Sequence, residues 1–115
     1  MANNSKSKIF STNLGAGAND TVGIVQPIPD GETWVITKFG AADINTGDHK
    51  SSIYTLKFGG EVLDGAIIIT TGSTITLNEN WEIKGDGVKK IEIDRKNTSG
   101  LAKQMPTWIT AYKRS

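Results

Sequence analysis

The chain has 115 residues, with 13 lysines and arginines against 12 aspartates and glutamates, 13 glycines and no cysteine. This length predicts one domain, because a single hydrophobic core usually serves about 100 to 150 residues. The formal charge of +1 is too small for a nucleic-acid-binding surface, and the lack of cysteine excludes disulfides and thiolate metal sites.

Residues 1–20 are rich in Asn, Ser, Gly and Ala, and Ile9, Phe10 and Leu14 are their bulky apolar side chains. This composition does not bury enough surface to fold alone, so we expect an extended N-terminal arm. Exposed apolar anchors favour an arm that docks on a partner over a frayed terminus. We find no apolar signal-peptide core and no run long enough to span a membrane, and expect synthesis in the cytoplasm without export.

From residue 21 onward, short β-rich segments alternate with turn residues. The predicted strands are Thr21–Gln26, Glu32–Ala42, Ser52–Phe58, Glu61–Leu63, Ala66–Thr70, Ser73–Leu77, Asn80–Lys84, Val88–Lys96 and Thr107–Arg114. Glycine and Asp-Gly turns supply the positive φ angles of tight hairpins, which favours antiparallel neighbours. We therefore predict an all-β fold, an antiparallel β-sandwich over residues 21–115, with a closed barrel as the alternative.

Alternation along the predicted strands assigns side chains to faces. In Glu32–Ala42 it places Val35, Phe39 and Ala41 on one face and Trp34, Ile36 and Lys38 on the other. Alternation also places Tyr54, Leu56 and Phe58 on one face of Ser52–Phe58, and Ile91 and Ile93 on one face of Val88–Lys96. Thr107–Arg114 is apolar on both faces, with Trp108 and Tyr112 opposite Ile109 and Ala111. A second apolar face must be covered by the arm, by a loop or by another subunit, so we expect the chain to form an oligomer. The residues expected in the self-interface, or in a layer beneath the arm, are Trp34, Ile36, Trp108 and Tyr112.

The uncharged segment Ile67–Leu77 poses a related question. It is dense in β-branched residues, and as a free edge it would invite aggregation. We expect it to form a central strand pair or to be covered in an assembly.

The residues offer little for catalysis. The single histidine, His49, lies in a polar loop and does not suffice for a histidine-rich metal site or a serine triad. The many carboxylates fall in turns or on polar strand faces, where solubility and turn formation explain them. We expect no enzymatic activity and no catalytic, cofactor-binding or metal site. A carbohydrate-binding module, with aromatic side chains stacked on sugar rings, remains an alternative.

Taken together, the polar arm, "IPDGETWVITKFGAAD", "EIKGDGVKKIEIDRKNTSG" and "MPTWITAYK" resemble the small jelly-roll decoration, or cement, proteins of tailed bacteriophages. The resemblance runs from about Thr21 to the C-terminus and concerns style and strand layout. It implies a jelly-roll sandwich that binds the major capsid protein on the outside of the virion as a dimer or trimer. The arm residues Ile9, Phe10 and Leu14 would then reach over a capsid subunit. A receptor-binding module and a tail or neck component are the alternatives.

Overall fold

A computed structural model of the chain describes residues 5–42, 52–70 and 74–114. Within these ranges the regular secondary structure is entirely β-strand. The strands are β1 (Ser5–Phe10), β2 (Asn13–Leu14), β3 (Asn19–Gly23), β4 (Thr33–Ala42), β5 (Ser52–Phe58), β6 (Glu61–Thr70), β7 (Thr74–Leu77), β8 (Trp81–Lys84), β9 (Ile91–Asn97), β10 (Lys103–Gln104) and β11 (Thr107–Lys113).

The strands form two main antiparallel sheets and a small ribbon. The first sheet has the order β1-β11-β4-β7, and β8 pairs with the other half of the β4 edge. The second sheet has the order β3-β9-β5-β6, and β2 pairs with β10 in the ribbon. The predicted all-β sandwich is thereby confirmed.

One continuous core fills the space between the two sheets. Strict alternation along β5 and β9 turns every second side chain inward, as predicted for Tyr54, Leu56 and Phe58. The buried apolar members of the core larger than alanine are Leu14, Ile24, Ile28, Trp34, Ile36, Phe39, Tyr54, Leu56, Phe58, Ile68, Trp81, Ile83, Ile91, Ile93, Met105 and Ile109.

A β-bulge in β4 overturns the predicted faces of that strand. Ile36 lies opposite Ala111 and Lys38 lies opposite Thr110, so Thr37 is an extra residue in the ladder. An extra residue reverses the alternation beyond it. Trp34 and Ile36 consequently share the core face with Phe39 and Ala41, whereas Val35 lies on the outer face. The prediction that Trp34 and Ile36 point away from Phe39 is therefore wrong.

The predicted turn at Asp64-Gly65 is also wrong, because Glu61–Thr70 forms one strand. The hairpin between β5 and β6 turns at Gly59 and Gly60, whose φ angles are 62° and 87°. Two consecutive positive φ angles suit a two-residue hairpin turn, and glycine adopts them without a steric cost. Asp64 and Gly65 instead lie where the β5–β6 register shifts, and the Asp64 carbonyl accepts a 2.7 Å hydrogen bond from Nε1 of Trp81.

The predicted boundary at residue 20, between an N-terminal arm and the sandwich, differs from the structure. Residues 5–10 pair with residues 107–112 of β11, and residue 20 lies inside β3. This N-terminal segment is extended, but its described part belongs to the sandwich instead of projecting from it. The sequence pattern missed β1, β2 and β10 because a polar strand at a sheet edge and two-residue strands have no marked apolar period.

A buried arginine fastens the ribbon to the second sheet. Arg95 has no solvent exposure, and its Nε and Nη2 donate to the two Asp20 carboxylate oxygens at 2.9 and 2.5 Å. Nη1 donates to the Met105 carbonyl at 2.5 Å, and Nη2 also donates to Thr12. Every guanidinium nitrogen therefore has a partner, which offsets the cost of burying the charge.

Candidate interaction surface

The most distinctive exposed feature of the first sheet is an aromatic and aliphatic cluster on its outer face. Ile9 of β1 lies opposite Trp108 of β11, and Tyr112 follows four residues further along the same face of β11. Ile9 is 75% exposed, Tyr112 is 42% exposed and Trp108 is half-buried. We call Ile9, Trp108 and Tyr112 the outer-face cluster.

Gly40 sets the position of the central side chain of this cluster. It is opposite Trp108 in the register, and a Cβ atom added to Gly40 would lie 2.1 Å from indole atoms Cε2 and Nε1. Real side chains never approach so closely, so the indole occupies space that only glycine leaves free. One side of Trp108 is thereby packed against the strand.

A shallow depression of about 530 Å³ lies beside the indole. Its rim offers hydroxyl, amide and ammonium groups together with the apolar surface of Ile9 and Trp108. Ser7 Oγ donates to Thr110 Oγ1 at 3.2 Å, which ties β1 to β11 within it. The residues lining the depression are Ser7, Lys8, Ile9, Lys38, Thr76, Asn78, Trp108, Ile109 and Thr110.

Four of the seven residues expected to contact a partner lie elsewhere. Phe10 is half-buried on the inner side of β1, and Leu14 is buried in the core. Trp34 and Ile36 are buried core residues for the reason given above. The structure therefore brings together Ile9, Trp108 and Tyr112 and separates them from the other four.

Trp34 does lie beneath the N-terminal segment, which was one of the two positions expected for it. The Lys6 Nζ of β1 is 5.1 Å from the centroid of its ring, a distance typical of a cation–π contact. Its Nε1 donates a 2.9 Å hydrogen bond to Glu32 Oε1. This hydrogen bond is the main cause that lowers the pKa of Glu32, and Lys113, 3.4 Å away from Oε2, lowers it further.

The sequence predicts that Ile67–Leu77 lies in a central strand pair or is covered in an assembly. Its first residues instead lie in β6, the edge strand of the second sheet, where they form a second exposed apolar strip on the outer face. Ile67 and Ile69 of β6 are 52% and 60% exposed, and Ile69 lies opposite the half-buried Ile53 of β5. Ile67, Ile68 and Ile69 are three successive isoleucines, so alternation gives no indication of which one enters the core. We call Ile53, Ile67 and Ile69 the β6 strip.

Several of the charged side chains that the structure describes serve structural roles. Asp94 accepts hydrogen bonds from Thr21 at 2.8 Å and from Lys57 at 3.0 Å. The Asp86 carboxylate accepts from the backbone N–H groups of Lys89 and Val88, which lower the pKa of Asp86. Across residues 5–42, 52–70 and 74–114 no three histidine, cysteine, aspartate or glutamate side chains are grouped as metal ligands would be. His49 lies outside the described residues.

No helix that could cross a membrane occurs in the part of the chain that the structure describes. In comparisons with known proteins, no family model matches the chain and no curated protein sequence matches it.

Proposed function

We propose that this chain is a non-enzymatic structural protein of a virion, and that it decorates and stabilises an assembled phage capsid. The observation that carries the proposal is the outer-face cluster, in which Ile9 and Tyr112 are exposed around a half-buried Trp108. Aromatic residues with a packed side and an exposed side are enriched in protein interfaces. The jelly-roll connectivity and the major capsid protein as partner, which the resemblance implies, belong to the same proposal.

A decoration protein needs no catalytic group. Binding the assembled shell more tightly than its separated subunits stabilises the shell by mass action. Many copies on one shell, or several binding sites in one oligomer, convert a modest contact into a strong attachment. A rigid sandwich that presents a small fixed cluster suits this task, because little conformational entropy is lost on binding.

The structure changes the part that the N-terminal segment plays in the proposal. β1 is the edge strand of the first sheet, and it contributes Ile9 to the contact surface while Phe10 and Leu14 point inward. The capsid contact is therefore made by a folded sheet face and not by a free arm. This contact surface also differs from the predicted one because Trp34 and Ile36 are excluded from it.

Cosedimentation tests this proposal with purified capsids that lack the protein. The full-length chain is expected to bind at a saturating, fixed number of copies per capsid. Ile9→Asp and Tyr112→Ser, both at exposed positions, are each expected to weaken binding about tenfold or more, as for central interface residues. Val88→Ala, at an exposed position outside the cluster, is the matched control and should bind like the unmodified chain.

Absence of saturable binding would contradict the decoration role, and undiminished binding by Ile9→Asp and Tyr112→Ser would contradict the assigned surface. Immunogold labelling of complete particles separates the head from the tail and neck. Label confined to the tail or neck would replace decoration by the tail or neck alternative.

A carbohydrate-binding module is the second candidate, and a specific observation favours it. Trp108 lines a depression that hydroxyl and amide groups also line, and Tyr112 lies on the same sheet face further along β11. Aromatic rings with neighbouring polar groups suit the faces and hydroxyls of sugars. This candidate predicts retention on a glycan array that Tyr112→Ala abolishes. The decoration proposal predicts no such retention.

A further inference from the structure

The free edges of the two sheets differ in how they are protected. Natural edge strands avoid pairing with other chains by being short or by carrying charges, especially lysine. β1 carries Lys6 and Lys8, the edge strand β3 has five residues and includes Asp20, and β7 and β8 have four residues each. Each of these edges therefore has at least one of the usual protections.

β6 is different. It is the edge strand of the second sheet and has ten residues. Its second half, Ala66–Thr70, contains neither a charged residue nor a proline, and residues 67–70 pair in regular register with β5. The β6 strip adds exposed apolar surface on the same part of the strand, since Ile67 and Ile69 are both more than half exposed. Such an edge is a template for pairing with another strand.

We infer that this edge pairs with the same edge of a second copy, so that β6 forms a two-fold antiparallel self-interface. The uncharged Ala66–Thr70 segment brings no like charges together when it meets itself, and it offers nothing to attract a charged partner strand. Antiparallel pairing about Ile68 would place Ile67 of one copy opposite Ile69 of the partner subunit. The β6 strips of the two copies would then adjoin on one face.

A two-fold interface of this kind is closed. The two unprotected β6 edges pair with each other, and the outermost strands of the joined sheet are then the protected β3 strands. A third copy has no unprotected edge to pair with, so assembly stops at the dimer. Two short strand edges and their flanking side chains fall at the low end of specific interface sizes, below about 1,200 Å². The dimer is accordingly expected to dissociate on dilution.

This inference does not depend on the proposed capsid function, because the outer-face cluster lies on the other sheet. Dimerisation through β6 leaves Ile9, Trp108 and Tyr112 free for a different partner. A monomer that binds capsids would contradict only the self-interface, and a β6-linked dimer that ignores capsids would contradict only the decoration role.

Sedimentation velocity of the full-length chain over a wide concentration range tests the inference. The unmodified chain is expected to shift from monomer to dimer as concentration rises. Ile67→Lys is expected to raise the dissociation constant at least about tenfold, because a lysine on an edge strand opposes pairing and the two-fold axis brings two like charges onto one face. Val88→Lys adds the same charge at an exposed valine outside the Ala66–Thr70 segment and is expected to leave the dissociation constant unchanged. Circular dichroism checks that both variants fold.

Hydrogen exchange of the unmodified chain gives a second measurement that needs no variant. Amides of Ala66–Thr70 that face the free edge are expected to exchange more slowly at high concentration, whereas those of β1 should not change. A chain that stays monomeric, a trimer, or concentration-independent exchange in β6 would each overturn the inference. So would a dimer that Ile9→Lys dissociates and Ile67→Lys leaves intact.

Discussion

The indole of Trp108 occupies the space that a side chain at Gly40 would need. An added Cβ atom would lie within 2.4 Å of three indole atoms, so Gly40→Ala must displace Trp108 or separate β4 from β11. We expect a loss of about 1–3 kcal/mol in the free energy of unfolding, typical of overpacking, and a change in tryptophan fluorescence. Chemical denaturation monitored by fluorescence measures both.

The matched control is Gly100→Ala, because an added Cβ there meets nothing within 4 Å. It is expected to change the free energy of unfolding by less than about 0.5 kcal/mol. Equal stability of Gly40→Ala and Gly100→Ala would show that the packing of Trp108 on Gly40 carries no stability.

The bulge at Thr37 predicts that β4 tolerates a deletion at this position. Removing Thr37 leaves Trp34, Ile36, Phe39 and Ala41 in strict alternation, so the core face survives in a regular strand. The deletion removes the 3.2 Å hydrogen bond from Thr37 Oγ1 to the Thr110 carbonyl and some local twist. We expect it to lower the free energy of unfolding by about 1–2 kcal/mol. Thermal unfolding is expected to remain cooperative, at a lower midpoint.

Deletion of Glu92 is the control for the Thr37 deletion. Glu92 lies in the central strand β9, which pairs in regular register on both sides, so its removal turns Ile93 and Arg95 outward relative to Ile91. We expect this variant not to fold. The assigned bulge would be contradicted if the Thr37 deletion unfolded the protein and the Glu92 deletion did not.

Arg95 predicts a large effect from removing one buried charge. Arg95→Met leaves Asp20 without its guanidinium partner and leaves the Met105 carbonyl without a donor. We expect a loss of about 2–4 kcal/mol in the free energy of unfolding. This is below the range for a fully buried pair, because the Asp20 side chain is 36% exposed and water screens its charge.

Lys57→Met is the comparison for Arg95→Met. Lys57 pairs with Asp94 at 3.0 Å, and both side chains are partly exposed, so its loss is expected to cost less than about 1 kcal/mol. Urea denaturation of the two variants gives the ranking. An Arg95→Met variant as stable as Lys57→Met would mean that the buried network contributes no more than a surface pair.

The hydrogen bond from Trp34 to Glu32 predicts a specific titration effect. Because it lowers the pKa of Glu32, Trp34→Phe is expected to raise that pKa towards its ordinary value. A pKa lowered by folding contributes stability that is present above the unfolded pKa and lost as pH falls through the folded pKa. The unmodified protein should therefore lose more stability on acidification through this range than Trp34→Phe does.

NMR titration of the side-chain carboxyl carbons measures the pKa values directly. Asp86 is the internal reference, because backbone N–H groups of Lys89 and Val88 lower its pKa independently of Trp34. An unchanged Glu32 pKa in Trp34→Phe would contradict the assigned cause. A simultaneous shift at Asp86 would indicate a general structural change instead.

Much of the fold is predictable because its central strands alternate cleanly. The bounds of Ser52–Phe58 were predicted as the structure has them, and the inward side chains of β5, β9 and β11 agree with the expected pattern. A strand with one buried face has apolar residues at every second position of its sequence. The turn residues Gly59 and Gly60 mark the β5–β6 hairpin for the same local reasons.

The interaction surface could be predicted only in part, because tertiary structure decides which face of some strands is buried. One extra residue at Thr37 reverses the faces of β4, and no local signal separates Thr37 from the other residues of an apolar strand. Similarly, Ile67, Ile68 and Ile69 are chemically identical, and pairing with β5 decides which of them is buried. Trp108 and Tyr112 were placed correctly on one face because β11 alternates throughout its length.

The pairing of β1 with β11 determines when the first sheet is able to assemble. Among the described strands β1 pairs with β11, which itself lies between β1 and β4. Ser5–Phe10 is synthesised well before its partner Thr107–Lys113, because the rest of the sandwich lies between them in the sequence. Contacts between such distant segments have a high cost in chain entropy and are typical of slow-folding β-proteins. During synthesis the edge of β4 that pairs with β11 therefore stays unpaired until Thr107–Lys113 has been made.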